Sequence, residues 1–213
     1  MAGSTSDVSE PGMTTHRLEA LADGIFAIAM TLMVLNLALP EAGKGLTELH
    51  SLLFGQLDKF FCYALSFVLL AVFWISHHQQ FHFIKRTNGK HLWINIFFLM
   101  FVALIPFSTS LVGDYSQEPL AEVFFGSNIF MLSMLLLCSW LYATNHHRLV
   151  DRSLDARRIA LVKKRGAATM LIAVLAIGLS FIDPDISYYI YLLIPVFMGV
   201  FERQHRKATR GAV

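Results

Sequence analysis

Six stretches of the sequence carry few or no charged residues and approach the thickness of a lipid bilayer. A helix rises about 1.5 Å per residue and the hydrocarbon core is about 30 Å thick, so a span needs about 20 apolar residues, with roughly 17 as the lower limit. The stretches are residues 20–39, 60–76, 92–113, 123–144, 166–182 and 186–201. The last two are short and are separated by a turn at residues 183–185. We predict an all-α, polytopic membrane protein with six transmembrane helices.

The composition supports lipid as the solvent. Of the 213 residues, 55% are hydrophobic and only 15% are charged, and the mean hydropathy is +0.56, whereas a soluble domain has about 25% charged residues. The net charge of +2 gives no reason to expect a nucleic-acid partner. Cys62 and Cys138 lie inside apolar runs, so we expect no disulfide, metal or redox role for them.

The distribution of lysine and arginine predicts the orientation. All but two of these residues, Lys44 and Lys59, lie at the termini or in the loops on one side of the predicted bundle. By the positive-inside rule both termini are cytoplasmic, in a multi-pass protein of the cell (plasma) membrane. The domain organisation follows: a disordered cytoplasmic tail at 1–15, a six-helix domain at 16–202 and a basic cytoplasmic tail at 203–213.

The opposite side of the membrane is predicted to be acidic. Its residues are Glu41, Glu48, Asp58, Asp114, Glu118, Glu122, Asp183 and Asp185. A negative surface concentrates cations near any entrance. Membrane topology alone also explains this asymmetry, so both interpretations stay open.

Asp23 is the charged residue in a span that most needs a partner, because it lies about 10 Å along the first helix. Arg17 is six residues earlier, about 240° around the helix, so the two side chains do not share a face. His77 of the second helix lies at a matching depth. We predict a buried polar cluster of Arg17, Asp23, Trp74, His77 and Asn95. It is either a structural clamp between the first three helices or a titrating or gating element.

Four histidines raise a metal or haem site as an alternative. His78 and His82 lie four residues apart, and His146 and His147 offer further nitrogen ligands. Both pairs lie at predicted inner helix ends, where imidazoles interact with helix C-terminal carbonyl groups. We therefore expect neither a metal nor another cofactor.

An apolar stripe follows one face of the first helix. Ile28, Leu32 and Leu35 stand at positions i, i+4 and i+7, which lie on one side of a helix. In a generic membrane helix such a stripe faces lipid or packs against a neighbour. Small residues nearby allow close helix approach: Ala22, Gly24, Ala27 and Ala29.

The residues Arg17, Leu21, Ala22 and Asp23, followed by IFAIAMTLMVL, are similar to the opening helix of the transmembrane protein 175 family. This family comprises endolysosomal potassium channels and their prokaryotic relatives. Its signature is Arg, three residues, then Phe-Ser-Asp, so Arg17 and Asp23 match it, whereas Leu21 and Ala22 depart from it. Without the serine hydroxyl at position 22, we expect the hydrogen bonds around Asp23 to be rearranged.

The next two spans extend the resemblance. The third reads LWINIFFLMFVALIPFSTSLVGDY and the second contributes Phe73, Trp74, His77 and His78. Three separated patterns thus agree in order and spacing with the family. The resemblance extends from residue 16 to about residue 115, and beyond it is only hydropathic.

The resemblance implies a homotetramer of six-helix subunits with the first helix lining a central pore. Members of the family lack a glycine-rich carbonyl filter, as does this sequence, and rings of branched apolar side chains form the constriction instead. Carried over by position, the rings fall on Ile28, Leu32 and Leu35. Thr31 matches a position beside the constriction, where a hydroxyl contacts a partly dehydrated ion.

The implied function is a potassium-selective cation channel and not an enzyme. Its partners would be potassium ions, the lipid bilayer and further copies of the chain. The alternative is a proton-coupled secondary transporter in which Asp23 and His77 relay protons. Transporters often have broken helices and inverted repeats, and the sequence indicates neither. A membrane enzyme is disfavoured because Ser108 and Thr109 have no base within sequence reach.

Overall fold

The computed structural model describes residues 14–37 and 53–199. The predicted basic tail at 203–213 lies outside them, as does most of the tail at 1–15. Thr15, the last residue of the predicted first tail, is the first residue of the first helix. Glu41, Lys44 and Glu48 also lie outside the described residues.

Six helices follow one another in the described part of the chain, and a short helical segment at 193–199 follows the sixth. They are α1 (Thr15–Leu32), α2 (Leu57–Phe83), α3 (Gly89–Asp114), α4 (Pro119–Thr144), α5 (Ala156–Ser180) and α6 (Pro184–Ile190). Short 3₁₀ turns follow α1 and α4, at Met33–Asn36 and Asn145–His147. The described part of the chain contains no β-strand. The predicted all-α fold with six helices is confirmed.

Four of the helices are long and apolar enough to cross a membrane. They lie within Thr15–Asn36, Leu57–Phe83, Gly89–Asp114 and Pro119–His147 and correspond to the first four predicted spans. α5 is 25 residues long, and it begins ten residues before the predicted fifth span. The added residues contain Arg157, Arg158 and the run 163–165, so only the second part of α5 is apolar.

The sixth predicted span is interrupted, which corrects the expectation that no helix is broken. α6 ends at Ile190, a turn occupies residues 191 and 192, and helix resumes over 193–199. The cause is Pro195, which has no N–H to donate to Tyr191 O and whose ring clashes with that carbonyl in a regular helix. The N–H of Ile194 donates to Tyr191 O instead, at 3.0 Å.

The core centres on α4, which packs between α3 and α5. Phe125, Ile129 and Trp140 of α4 are fully buried. Gly126 allows the closest approach, since a Cβ there would lie 2.5 Å from Tyr191 Oη and 2.6 Å from Ile177 Cγ1. A larger residue at position 126 would therefore push α5 and the turn after α6 away from α4.

Two loops at one end of the bundle are tied together. Ile84 after α2 pairs with Val150 after α4 in an isolated antiparallel bridge. Leu18 of α1 packs into the small apolar cluster around this bridge, which fixes the start of α1. In the loop after α4, the backbone N–H and the hydroxyl group of Ser153 both donate hydrogen bonds to Asp151 Oδ1, at 2.9 and 2.8 Å. These bonds lower the pKa of the Asp151 carboxyl group.

Candidate functional site

The two faces of α1 have different environments. Its buried residues, continued into the 3₁₀ turn, are Leu18, Ala22, Phe26, Ala29 and Met33. They recur every three or four residues and therefore form one stripe, which packs against α2 and α3. α1 is nevertheless the least buried of the four long apolar helices. Its opposite face is open along its whole length.

The predicted apolar stripe lies on this open face. Ile28 is 59% exposed, Leu32 45% and Leu35 70%, so none of them is buried in the core of its own subunit. Leu35 belongs to the 3₁₀ turn, in which side chains at i and i+3 eclipse one another. The turn therefore keeps Leu35 in line with Leu32.

Thr31 lies on the same open face. Its Oγ1 is 3.0 Å from Ala27 O and 2.9 Å from Ile28 O, so the hydroxyl hydrogen is directed to the backbone of α1. The lone pairs of Oγ1 therefore point to the exposed side of α1, where they can accept a hydrogen bond or contact a cation. Among the small residues, Gly24 and Ala27 are exposed beside this stripe.

Arg17 and Asp23 occupy different parts of α1, and both are exposed. Arg17 and Ile28 are eleven residues apart, which places them within about 20° of each other around the helix. Asp23 lies on the flank of the open face, next to α2. The two side chains form no hydrogen bond or ion pair with each other in the described structure, as their helical spacing predicts.

The partner of Asp23 is on α2. Trp74 Nε1 donates to Asp23 Oδ1 at 2.8 Å, and the Trp74 ring stacks on His78 at a centroid distance of 5.9 Å. Trp74 is 37% exposed. This pair therefore joins α1 to α2 at the edge of the open face rather than inside the core.

His77 and Asn95 form a separate, buried pair between α2 and α3. His77 Nε2 lies 3.3 Å from Asn95 Oδ1, and the carbonyl oxygen can only accept, so His77 is the donor. The His77 ring stacks on Phe81 and Phe98, at 4.4 and 5.4 Å between centroids. The five residues of the predicted cluster thus divide into an exposed pair, a buried pair and Arg17 apart from both.

The buried pair continues into a polar network that the sequence analysis missed. Asn95 Nδ2 donates to His91 O at 2.8 Å, and His91 Nε2 lies 3.0 Å from Ser139 Oγ on α4. Thr87 Oγ1 lies 3.0 Å from His91 Nδ1. The i, i+4 spacing of His91 and Asn95 was a usable signal, whereas nothing in the sequence pointed to Ser139.

The histidine pairs considered as metal ligands are not assembled into a site. Within residues 14–37 and 53–199, no three His, Cys, Asp or Glu side chains are grouped so that they could hold a metal ion. His146 and His147 both have a φ of 52° in the turn after α4. Ser108, considered as a nucleophile, donates to Ile105 O and accepts from Asn128 Nδ2.

The predicted acidic surface carries fewer free carboxylates than its composition indicates. Asp114 Oδ1 is 2.6 Å from Lys59 Nζ in a half-exposed ion pair. Glu122 is buried, with 1% of its surface exposed, so it does not belong to the surface at all. Asp58, Glu118 and Asp183 lie at the same end of the bundle, because helices α2 and α4 begin there and α5 ends there.

A family model and individual relatives both agree with the family resemblance found in the sequence. The family described as endosomal/lysosomal potassium channel TMEM175 matches residues 17–106. A protein named as a potassium channel in Streptomyces collinus is 29% identical over 187 residues, covering 86% of this chain and 90% of the relative. Another, from a Chryseobacterium species, is 28% identical and covers 93% of this chain and 99% of the relative.

The fold agrees with that of a solved relative. The crystal structure of a lysosomal potassium-selective channel TMEM175 homologue from Chamaesiphon minutus matches with a TM-score of 0.77 and 25% identity. The match covers 87% of this chain and 96% of the other, so it includes helices beyond the region matched by the family. By sequence and by fold, the chain is similar to prokaryotic members of the TMEM175 family.

Proposed function

We propose that the chain is the subunit of a homotetrameric, potassium-selective channel in which four copies of α1 surround a central pore. The observation that carries the proposal is the open face of α1. That face presents Ile28, Leu32 and Leu35 together with Thr31 on the surface of the subunit. The bacterial relatives that align over most of this chain are named potassium channels.

The polar residues of this face argue against simple exposure to lipid. Charged side chains are costly in the hydrocarbon region and generally face a bundle interior or water. Arg17 lies in line with Ile28 at one end of the face, and Asp23 lies on its flank. Exposed small residues, Gly24 and Ala27, are typical of surfaces where membrane helices approach one another. An association of α1 helices accounts for both features.

The apolar side chains would then form the constriction. Four copies of Ile28, with Leu32 and Leu35 above, give stacked rings that offer an ion no replacement for its water. Hydrophobic constrictions of this kind can also close by dewetting. Potassium holds its water less tightly than sodium, so a neck with few oxygen ligands favours potassium. Thr31 Oγ1 is the nearest side-chain oxygen on the same face.

The remaining polar groups are proposed to hold α1 in place. The Asp23–Trp74 hydrogen bond fixes one edge of the pore-lining helix to α2. The network of His77, Asn95 and Ser139 joins α2, α3 and α4 behind it. We assign these groups a structural role, because the buried His77 ring is enclosed by the rings of Phe81 and Phe98 and by the Asn95 amide.

The location and orientation are proposed from the charge distribution. Lys85, Arg86 and the basic first half of α5 lie at one end of the bundle, and the positive-inside rule places that end in the cytoplasm. Both termini would then be cytoplasmic and the protein would reside in the cell membrane.

Purified protein in a planar bilayer tests the function directly. With potassium on one side and an equal concentration of sodium on the other, we expect unitary currents and a reversal potential displaced toward the potassium equilibrium potential. Bilayers without protein serve as the control. A reversal potential of zero would contradict potassium selectivity. Absence of unitary currents, with slow flux that requires a proton gradient, would instead support the transporter alternative.

A further inference from the structure

The 3₁₀ turn that follows α1 is joined to α3 by a hydrogen bond at a proline. Asn36 is the last residue of this turn, Met33–Asn36, and its Nδ2 donates to Pro106 O at 3.0 Å. Pro106 lies inside α3. A carbonyl oxygen has two lone pairs, so Pro106 O can accept from Asn36 in addition to any bond within its own helix. The half-buried Asn36 amide therefore ties the end of the α1 segment to α3.

A second contact holds the same turn against the same helix. Met33 is fully buried, and its Sδ lies 3.9 Å from Thr109 Oγ1 of α3. Thr109 and Pro106 are three residues apart, so they are neighbours on one face of α3. Leu35, between the two attached residues, is 70% exposed. One side of the turn is thus fastened to α3, while the other side belongs to the open face of α1.

The 3₁₀ geometry decides which side chains share a side of the turn. Residues i and i+3 of a 3₁₀-helix eclipse one another, because each residue turns the chain by about 120°. Asn36 therefore stands in line with Met33, on the side of α3, and Leu35 stands in line with Leu32, on the open face. With the α-helical turn of about 100° per residue, each of these pairs would be offset by about 60°. The bond to Pro106 O and the alignment of Leu35 thus depend on the same geometry.

We propose that Asn36 is a positioning residue of the pore, whose bond to Pro106 O keeps the turn in its 3₁₀ form and thereby holds Leu35 in register with Leu32. This inference rests on the proposed function, in which both leucines line the pore. The Asn36 amide is directed to α3, so it acts on conduction through Leu35. A ring of side chains on a loosened turn encloses a partly dehydrated ion less tightly, which lowers the barrier at that ring.

A double-mutant cycle on the unitary potassium conductance tests this coupling. The proteins compared in planar bilayers are the wild type, Asn36→Leu, Leu35→Ala and the double variant. Asn36→Leu keeps a side chain of similar size but has no N–H to donate, and we expect it to raise the conductance severalfold. Leu35→Ala should also raise it, because a smaller side chain widens the ring. In the double variant Asn36→Leu should add nothing to the effect of Leu35→Ala, since the residue through which it acts has been truncated.

Asn128→Leu is the matched control. Asn128 Nδ2 donates to Ser108 Oγ at 3.1 Å, so this substitution also removes an amide hydrogen bond to α3 near Pro106. The bond joins α4, rather than the α1 segment, to α3. Asn128→Leu should therefore lower Tm, as Asn36→Leu does, but leave the conductance at the wild-type value. An equal rise of the conductance in both variants would show a general loosening of the bundle and overturn the proposal.

Wild-type conductance in Asn36→Leu would also overturn the proposal, as would the same fold increase in the Leu35→Ala background as in the wild type. Asn36→Ser, whose side chain is too short to reach Pro106 O, replaces Asn36→Leu in the cycle if that variant does not assemble. Leu35→Ala separates this proposal from the one before. Wild-type conductance in Leu35→Ala would remove residue 35 from the constriction and overturn both. A raised conductance in Leu35→Ala with none in Asn36→Leu would leave the pore standing and overturn only the role of Asn36.

Discussion

Trp74 Nε1 of α2 lies 2.8 Å from Asp23 Oδ1 of α1 and donates a hydrogen bond to it. This bond joins the helix proposed to line the pore to the helix behind it. Asp23 matches the acidic position of the family signature, and the structure gives it an indole N–H as partner within the subunit. Asp23 can therefore act in two ways, as the acceptor of this hydrogen bond and as a negative charge.

Substitutions at this pair distinguish the two roles. Trp74→Phe removes the donor and should lower the free energy of unfolding by on the order of 1 kcal/mol, which corresponds to about 2–4 °C in Tm for a chain of this size. Asp23→Asn keeps an acceptor oxygen and should leave Tm closer to wild type. It should reduce potassium conductance severalfold at low ionic strength and less in high salt. Equal conductance of Asp23→Asn and wild type at low salt would exclude the electrostatic role.

Ile28→Asn tests the proposed constriction. The amide supplies oxygen and nitrogen atoms where the wild-type ring has only methyl groups, so we expect higher conductance and a smaller preference for potassium over sodium. Leu171→Asn is the matched control, because Leu171 is also 59% exposed but lies on α5. Reversal potentials that do not change in Ile28→Asn would place the selectivity elsewhere.

Arg17→Ala tests the end of the open face. Arg17 is exposed, lies in line with Ile28 and makes no ion pair within the described part of its own subunit. If this face meets other copies, the substitution should reduce the tetrameric fraction in detergent while the helical content, measured by circular dichroism, stays constant. Lys90→Ala removes a charge from an exposed position of α3 as the control. A tetramer as stable as wild type would argue against a role of Arg17 in assembly.

Asn95→Leu tests the buried network. The substitution leaves the His77 donor without its acceptor and removes the amide hydrogen bond to His91 O. Each buried group left unpaired costs about 1–3 kcal/mol, so we expect a fall of several degrees in Tm. Trp93→Leu, on an exposed part of the same helix, should change Tm little. Similar Tm values for both variants would show that the network contributes no stability.

The helical architecture and the stripe on α1 could be predicted because both are periodic properties of the sequence. Uncharged runs of sufficient length identify the first four long helices, and the spacing of Ile28, Leu32 and Leu35 places them on one side of α1. The break before Pro195 could also have been predicted, since proline removes a helix hydrogen bond. The break was not predicted because the span was identified from its hydropathy alone.

The polar contacts were predicted only in part, because they depend on how helices pack. Depth along the membrane predicted that Asp23 and His77 lie at one level, but it could not show that Asp23 binds Trp74 and that His77 binds Asn95. Glu122 was assigned to the acidic surface from its position at the start of α4. It is buried there because that turn of the helix faces the core.

Ile28→Cys gives the most direct test that four copies of α1 meet at a conducting axis. The substitution is made in a Cys138→Ser background, since Cys138 is exposed and Cys62 is buried. Leu171→Cys in the same background is the control. Silver ions, which bind thiolates, should block potassium current through Ile28→Cys channels rapidly and leave Leu171→Cys channels conducting. Potassium current that persists in Ile28→Cys channels, or equal block at both positions, would contradict a pore lined by residue 28.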